Sequence, residues 1–197
     1  MKLTLIAGSQ RAQSQSLKVA LYLNKIAKSY FDEIDILDLY ELNLPLWNEG
    51  VWGGTEEWFP WRDIATQLST SDAFVFITPE WHGMATPALK NFLMLTTANE
   101  LSHKAALLVS VSASVNGVYP ISELRMTASK NNHVCLIPDH LIFRNVETLL
   151  DSNNYCIDTA MQQRSEYTID LLASYTKALK PIHKAMLDKG KPFVYGM

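Results

Sequence analysis

Nearly continuous apolar runs alternate along the chain with segments whose apolar residues recur at helical spacing. Runs with few polar interruptions are typical of strands covered on both faces, and shorter or mixed runs are typical of edge strands. The predicted strands are 3–7, 34–39, 73–78, 105–111 and 133–137, with the second and the last expected at the edges. The predicted helices are 16–30, 58–69, 86–97, 121–131 and 165–187, the last with a kink at Pro181. Strands that alternate with helices predict a parallel, doubly wound α/β sheet.

Two segments, 43–57 and 138–155, lack a clear period. The tryptophans all fall in one window around the first segment: Trp47, Trp52, Trp58, Trp61 and Trp81. These rings either cover one end of the sheet, or they form a partner interface or the wall of an aromatic ligand site, and the pattern leaves both open. The second segment is interpreted as a connection and covering loop. Its titratable or charged residues include His140, Arg144 and Glu147.

The first predicted strand ends at a glycine, and polar residues then lead into a helix. The segment reads Gly8-Ser9-Gln10-Arg11, followed by Gln13-Ser14-Gln15-Ser16. Such a loop presents N–H groups and the positive end of a helix dipole, which suits a phosphate, and the Arg11 guanidinium adds matched donors. An ordinary helix N-cap has the same residues, and neither GxGxxG nor GxxxxGK[ST] is present. The residues alone therefore leave an anion site and a plain helix cap equally open.

Two later loops are expected beside the first one. In an open parallel sheet of order 2-1-3-4-5, ligands bind outside the carboxyl ends of the strands, where the strand order reverses. That point lies between the first and third strands, so the loops after Ala7 and Thr78 should line one site. The loop after the third strand supplies Trp81 for stacking and Gly83 for close backbone approach. The loop 112–119 adds small residues, N–H groups and hydroxyls at the same edge.

Taken together, these motifs resemble the NADPH-dependent FMN reductase family. The family pattern GSxRxxS is present at 8–14. Its Pro-Glu-Tyr segment corresponds to 79–81, and its helix start with Pro and Leu-Lys-Asn corresponds to 87–91. The resemblance extends over roughly residues 1–135. It implies a flavodoxin-like fold with a five-stranded sheet, bound FMN, and hydride transfer from NADPH or NADH to an acceptor. The chain length by itself predicts a single domain of residues 1–197.

The resemblance also implies three groups of cofactor-binding residues. The FMN phosphate would lie against Ser9, Arg11, Ser14 and Ser16, with Gln15 and Leu17 beside it. The isoalloxazine ring would lie along Pro79, Glu80, Trp81, His82 and Gly83. The pyrimidine side of the ring would lie near 112–117, with Ser112, Ser114 and Gly117 as contacts. Trp81 and His82 stand where the family usually has Tyr and Asn, and the loop after the fourth strand lacks the family's usual run of glycines.

Hydride chemistry would come from the flavin, so the protein needs a platform rather than an acid–base triad. His82 is the one candidate catalytic residue, as proton donor to a reduced acceptor. A histidine that packs or faces solvent is the simpler interpretation. The other histidines show no ligand spacing, so no metal site is expected: His103, His133, His140 and His183.

Composition and charge exclude several classes of protein. A hydrophobic fraction of 48% with 19% charged residues predicts a folded chain, and a net charge of −3 argues against a nucleic-acid partner. Cys135 and Cys156 fit neither a metal site nor a disulfide framework. The apolar start is too short for a signal peptide and no run could cross a membrane, so a reducing cytoplasm is expected. The late lysines, interpreted as a solvated face, are Lys177, Lys180, Lys184, Lys189 and Lys191.

Three functions remain open from the sequence. An FMN-dependent NAD(P)H oxidoreductase would reduce a quinone, azo compound, free flavin or metal ion. A flavodoxin-like FMN electron carrier would lack nicotinamide chemistry of its own, and a phosphate-binding protein would have no redox role. Such carriers are usually strongly acidic, so the mild net charge favours the enzyme. A homodimer or homotetramer is expected, because the tryptophan-rich segment 43–57 needs cover and family members commonly pair near the flavin.

Overall fold

A sheet of five parallel strands lies at the centre of the computed structural model, which describes residues 1–190. Lys191 therefore lies outside the described residues. The strands are β1 (Lys2–Ala7), β2 (Glu33–Asp38), β3 (Ala73–Pro79), β4 (Ala105–Val111) and β5 (Cys135–Phe143). Their order is β2-β1-β3-β4-β5, and every neighbouring pair is parallel. The predicted doubly wound, flavodoxin-like sheet is confirmed.

Helices cover both faces of this sheet. They are α1 (Gln15–Ala27), α2 (Leu39–Leu42), α3 (Gly50–Gly53), α4 (Phe59–Ser69), α5 (Pro87–Leu95), α6 (Ala98–Leu101), α7 (Val118–Thr127), α8 (Val146–Leu149) and α9 (Thr159–Lys189). A 3₁₀ turn, Glu56–Trp58, leads into α4. Side chains of successive strand residues point to opposite faces. Leu3 and Leu5 of β1 accordingly join the buried cluster with α1 and α9, whereas Ile6 joins the cluster with α4, α5 and α7.

The fifth strand corrects the prediction for the segment 138–155. The strand was expected over 133–137, but it begins at Cys135 and continues to Phe143, and α8 follows it. The strand therefore includes Pro138, although proline cannot donate a ladder hydrogen bond. β5 is an edge strand, and its register against β4 shifts in the stretch that contains Pro138. A bulge at an edge is a place where a strand tolerates proline, so only part of the segment is loop.

Several helix boundaries also differ from the prediction. The last helix begins at Thr159 rather than at 165, because the Asp158 carboxylate caps it by accepting a hydrogen bond from the Met161 N–H at 2.8 Å. It continues through Pro181 to Lys189, close to the predicted end at 187. The predicted helix 86–97 corresponds to α5, which ends at Leu95, and Thr97 starts a further short helix, α6, with a capping box. Among the described residues, no helix has the length and apolar character needed to span a membrane.

The tryptophans divide between the core and the surface. Trp58 and Trp61 are buried in the cluster beside β1 and β3, so for these two the covering role holds. Trp52 is 74% exposed and contacts Trp47 edge-on, with ring centroids 5.2 Å apart. Asn91 of α5 fixes this segment by accepting from the Trp47 N–H at 2.7 Å and donating to the Pro45 carbonyl at 2.8 Å. A partner interface for the exposed ring stays a prediction.

Candidate functional site

The loop between β1 and α1 forms a short polar turn that ends at a capped helix. Ser9 is buried, and its hydroxyl accepts a hydrogen bond from the Arg11 N–H at 3.2 Å. Ser14 is the N-cap of α1, and its hydroxyl accepts from the Leu17 N–H at 3.1 Å. Arg11 itself is exposed, with its guanidinium available to a ligand. The plain helix-cap interpretation is therefore correct for Ser14, and it leaves the other polar groups to be explained.

Ser16 has a buried polar side chain in this loop region. Its side chain is 1% exposed, and among the described residues its hydroxyl has no hydrogen-bond partner. The first turn of α1 contains no acidic residue, so the positive end of the helix dipole is not neutralised there. Helix starts also carry N–H groups without intrahelical acceptors, here those of Gln15 and Ser16. A buried polar group without a partner is costly, which points to a ligand at this end.

The loop between β3 and α5 contains a tight turn built by Trp81 and Met84. Each donates its N–H to the carbonyl of the other, at 3.2 and 2.9 Å. The two residues between them, His82 and Gly83, have positive φ angles of 51° and 73°. Glycine adopts such angles at no steric cost, whereas other residues are strained there. His82 is exposed on this turn and Trp81 is half-buried, so the turn presents an imidazole and an indole at the edge of the sheet.

Glu80 precedes this turn and ties it to the next strand. Its N–H donates to the Val111 carbonyl at 2.9 Å, which extends the ladder between β3 and β4. One carboxylate oxygen, Oε1, is buried without a hydrogen-bond partner among the described residues. A buried acceptor of this kind is suited to an N–H donor of a ligand.

The loop between β4 and α7 closes the other side of the site. The Ser112 hydroxyl accepts from the Ser114 N–H at 3.2 Å, which holds the start of the loop. Gly117 has a φ of 110°, and a Cβ on it would come within 2.4 Å of Ile142 Cγ2, so no larger residue fits this position. Arg144 donates to the Asn116 carbonyl at 3.0 Å and fixes the loop from β5.

We call the loops after β1, β3 and β4 the first, second and third loops. The second and third loops together enclose a cleft of about 470 Å³. Its lining residues are Glu80, His82, Gly83, Ser112, Ala113, Ser114, Asn116 and Tyr119. The structure thus brings part of the predicted ring-side set into one cleft, namely Glu80, His82, Gly83, Ser112 and Ser114. Pro79 belongs to the end of β3, and Trp81 and Gly117 lie in the same two loops without lining the cleft itself.

The first loop adjoins the second at the edge where β1 and β3 pair. Gly8 donates its N–H to the Ile77 carbonyl at 2.7 Å, and a Cβ on Gly8 would lie 2.5 Å from that oxygen. Thr86, the N-cap of α5, donates its hydroxyl to the Gly8 carbonyl. Gln10 accepts from the Ala88 N–H at 3.3 Å. The predicted phosphate-side and ring-side loops are therefore neighbours at the same edge of the sheet.

Sequence reasoning missed Ser110 and Glu123 at this edge, and it placed Tyr119 in the loop 112–119 without a role of its own. Ser110 is fully buried in β4, and its hydroxyl has no partner among the described residues. A polar residue in an otherwise apolar strand was the available signal. Tyr119 lies 3.7 Å from where a Cβ on Gly83 would be. Glu123 of α7 contacts the second loop directly by accepting from the Ala85 N–H at 2.7 Å. No spacing pattern in the sequence connects Glu123 with that loop.

A comparison with protein families decides the class of this chain. The model of the family described as NADPH-dependent FMN reductase matches residues 1–148. The chain belongs to this family. It is accordingly an FMN-dependent NAD(P)H oxidoreductase, with FMN as its cofactor and NADPH as a co-substrate.

Individual relatives and solved structures are similar over most of the chain. An FMN-dependent NADPH-azoreductase of Staphylococcus saprophyticus is 24% identical over 183 residues, which is 90% of this chain and 96% of the relative. A flavoenzyme NAD(P)H:(acceptor) oxidoreductase from Paracoccus denitrificans has a TM-score of 0.76 at 18% identity, covering 90% of this chain and 98% of its own. An NADH:FMN oxidoreductase in its apo form has a TM-score of 0.70 at 16% identity, covering 100% and 94%. These structures share the fold.

The chain's own residues are suited to FMN at both ends. A phosphate would satisfy the unpartnered Ser16 hydroxyl and the free N–H groups at the start of α1. A flavin ring carries both donors and acceptors, which match the unpartnered Glu80 oxygen and the polar cleft. No group of metal-binding side chains is found among residues 1–190.

Proposed function

We propose that the three loops at the carboxyl edge of the sheet form the FMN site, and that the enzyme uses it to reduce a small-molecule acceptor with NADPH or NADH. One observation carries the proposal. The start of α1 and the cleft lie at the same end of the sheet, and the buried Ser16 hydroxyl and a buried Glu80 carboxylate oxygen there have no hydrogen-bond partner within residues 1–190. Both ends of a ligand with a phosphate and a polar ring would therefore find unused partners.

The phosphate end is formed by the residues around the start of α1. Ser16 donates its hydroxyl, Gln15 and Ser16 donate their N–H groups, and Arg11 adds a charged donor from the exposed loop. Ser9 and Ser14 keep the loop and the cap in place through the hydrogen bonds that they already make. The Leu17 N–H donates to the capping Ser14 hydroxyl, and the Leu17 side chain packs against the core.

The ring end is formed by the two loops that follow β3 and β4. FMN, when bound, supplies the transfer of hydride between a nicotinamide and an acceptor. The chain binds and orients the ring with backbone groups of 79–83, with the Trp81 indole, and with the polar groups of 112–117. His82 is exposed on the rim, where a proton donor to a reduced acceptor would need to be, and this role stays a prediction.

The acceptor belongs to the class of small molecules that two-electron reductases use. The relatives described above are named for azo compounds and for an unspecified acceptor, and an NAD(P)H:quinone oxidoreductase from Methanothermobacter marburgensis has a TM-score of 0.63 at 14% identity. A quinone or azo compound is the acceptor that we propose. A pure electron carrier is not favoured, because the matched family is one of nicotinamide-dependent reductases.

We also propose that the protein is a homodimer or homotetramer in the cytoplasm. Exposed apolar side chains support the assembly, since Leu46 is 77% and Trp52 is 74% exposed on the segment 43–57. Free thiols at Cys135 and Cys156 support a reducing compartment. Sedimentation at micromolar concentration should give a mass of at least twice 22.2 kDa. A monomer under those conditions would contradict the assembly.

Steady-state oxidation of NADPH and NADH by the FMN-loaded protein tests the proposed function. With a quinone or an azo dye present, the rate should depend on enzyme, on flavin and on acceptor. Tightly bound FMN without oxidation of either nucleotide would instead identify an electron carrier.

A further inference from the structure

Glu123 connects two of the loops that form the proposed flavin site, although it belongs to neither. Its Oε2 atom accepts a hydrogen bond from the Ala85 N–H at 2.7 Å, and its Oε1 atom pairs with Lys90 Nζ at 2.5 Å. Ala85 immediately follows the turn of Trp81 to Met84. Glu123 lies in α7, the helix that begins where the loop 112–117 ends. One carboxylate therefore joins the second loop, the start of α5 and the helix after the third loop.

The other anchors of the second loop explain why this contact matters. Glu80 at the start of the loop is held to β4 through its N–H, and Thr86 at the end is held to Thr78 Oγ1 at 3.2 Å. Between these anchors, the backbone hydrogen bonds of the turn within residues 1–190 run between Trp81 and Met84. The Ala85 amide is buried and bonds a charged acceptor, which is stronger than a bond to a neutral one. The carboxylate thus fixes where the turn lies relative to the cleft.

The charge of Glu123 is maintained by the same contacts. Burial by itself would raise the pKa of the carboxyl, but the hydrogen bonds from Lys90 and from the Ala85 N–H outweigh burial and hold its pKa below the usual value. The carboxylate is therefore ionised at neutral pH, as the pairing with Lys90 requires.

We propose that Glu123 is a positioning residue for the flavin ring, which acts by holding the turn of Trp81 to Met84 against the cleft. The inference rests on the proposed FMN site, because it needs the ring to lie along this turn. Since Glu123 acts on the ring end, its loss should weaken riboflavin and FMN by the same factor. A residue that binds the phosphate would instead affect FMN alone.

Three variants separate the contact of Glu123 with the Ala85 N–H from its contact with Lys90: Glu123→Ala, Glu123→Gln and Lys90→Met. Glu123→Ala leaves the Ala85 N–H without its acceptor, and both flavins should bind about 10-fold more weakly. Glu123→Gln still offers an oxygen to Ala85, and Lys90→Met leaves that bond intact, so both variants should stay close to the wild-type affinities. Hydrogen exchange of the flavin-free protein should be faster over residues 80–86 in Glu123→Ala only.

Asp72 provides a matched control at the opposite edge of the sheet. One of its oxygens accepts from the Lys2 N–H at 2.9 Å and the other pairs with Lys180 Nζ at 2.9 Å. Its side chain is 21% exposed, close to the 26% of Glu123. Asp72→Ala should therefore lower the melting temperature as Glu123→Ala does, and leave flavin affinity unchanged.

Each outcome of these titrations bears on a different claim. Equal losses of riboflavin and FMN in Glu123→Ala, with Asp72→Ala like the wild type, support the inference. Unchanged riboflavin affinity in Glu123→Ala, or an equal loss in Asp72→Ala, would overturn it while the FMN site stands. A wild-type protein that binds neither flavin would contradict the proposed site itself.

Discussion

Three serines at the start of α1 differ in what their hydroxyls already bind. Ser9 and Ser14 accept hydrogen bonds from the N–H groups of Arg11 and Leu17, whereas Ser16 has no partner among the described residues. The first two shape the loop, and Ser16 remains available to a ligand. Arg11 is exposed and adds the positive charge that the loop otherwise lacks. The phosphate end of the site therefore depends on a small number of side chains that can be changed one at a time.

Arg11→Ala should weaken the binding of FMN far more than that of riboflavin. Riboflavin lacks the phosphate and cannot use the guanidinium, whereas a hydrogen bond to a charged group contributes about 1.5–3 kcal/mol, or roughly 10- to 100-fold in affinity. Fluorescence titrations of both flavins against the variant and the wild type measure the effect. Equal losses for the two flavins would show that Arg11 supports the loop rather than the phosphate.

Gly83→Val should impair flavin binding or hydride transfer and leave the sheet intact. Gly83 has a φ of 73°, which costs other residues roughly 1–2 kcal/mol. Gly190, at the end of α9, is a comparison position with a φ of 71°, and nothing among the described residues lies within 4 Å of where its Cβ would be. If strain alone mattered, Gly83→Val and Gly190→Val would both lower the melting temperature and spare FMN. Normal affinity and turnover in a stable Gly83→Val would remove Gly83 from the site.

Most helices and strands could be predicted from their own sequence. Two of the boundaries that were predicted wrongly can each be traced to one residue. The fifth strand was expected to end at 137, yet β5 continues through Pro138 because an edge bulge tolerates proline. Asp158 is of a residue type typical of helix caps, and its carboxylate accepts from the Met161 N–H, so the helix begins at Thr159 rather than at 165. In both cases the boundary is set by a contact, in β5 by pairing with β4 and in α9 by the hydrogen bond to Asp158.

Lys104 caps the end of α4 and makes the stability of the fold depend on pH. Lys104 is 3% exposed, and its ammonium donates to the Ser69 and Leu68 carbonyls at 2.8 and 3.3 Å. Burial lowers the pKa of Lys104 from 10.5 to about 8. Between these values the unfolded chain binds the proton and the folded chain has released it, so this residue makes stability rise with pH.

Denaturant unfolding of the wild type and of Lys104→Met tests that dependence. The stability of the wild type relative to the variant should increase between pH 7 and pH 10, by up to ~3 kcal/mol over the whole range between the two pKa values. In the difference between the two unfolding free energies, the contributions of titratable groups that both proteins contain cancel. A difference that is constant with pH would mean that the ammonium is as well solvated in the fold as in the unfolded chain.

At the scale of the whole molecule, the strand order and the place of the site could be predicted because both follow from alternation and topology. The apolar runs predicted which segments form the central strands. Because the strands are parallel, the loops after β1, β3 and β4 lie at the same end of the sheet. The contacts between distant segments could not be predicted. Glu123 and Ala85 are 38 residues apart, and only packing brings the carboxylate to the amide. The unused hydroxyl of Ser16 likewise needs the structure to be recognised.

The most direct test of the account is a titration of the flavin-free protein with FMN. We expect saturation at one FMN per chain, a shifted flavin absorbance spectrum, and a higher melting temperature because the ligand binds only the folded state. Addition of NADPH without oxygen should then bleach the bound flavin. If saturating FMN leaves both the spectrum and the melting temperature unchanged, the three loops do not form a flavin site and the account is wrong.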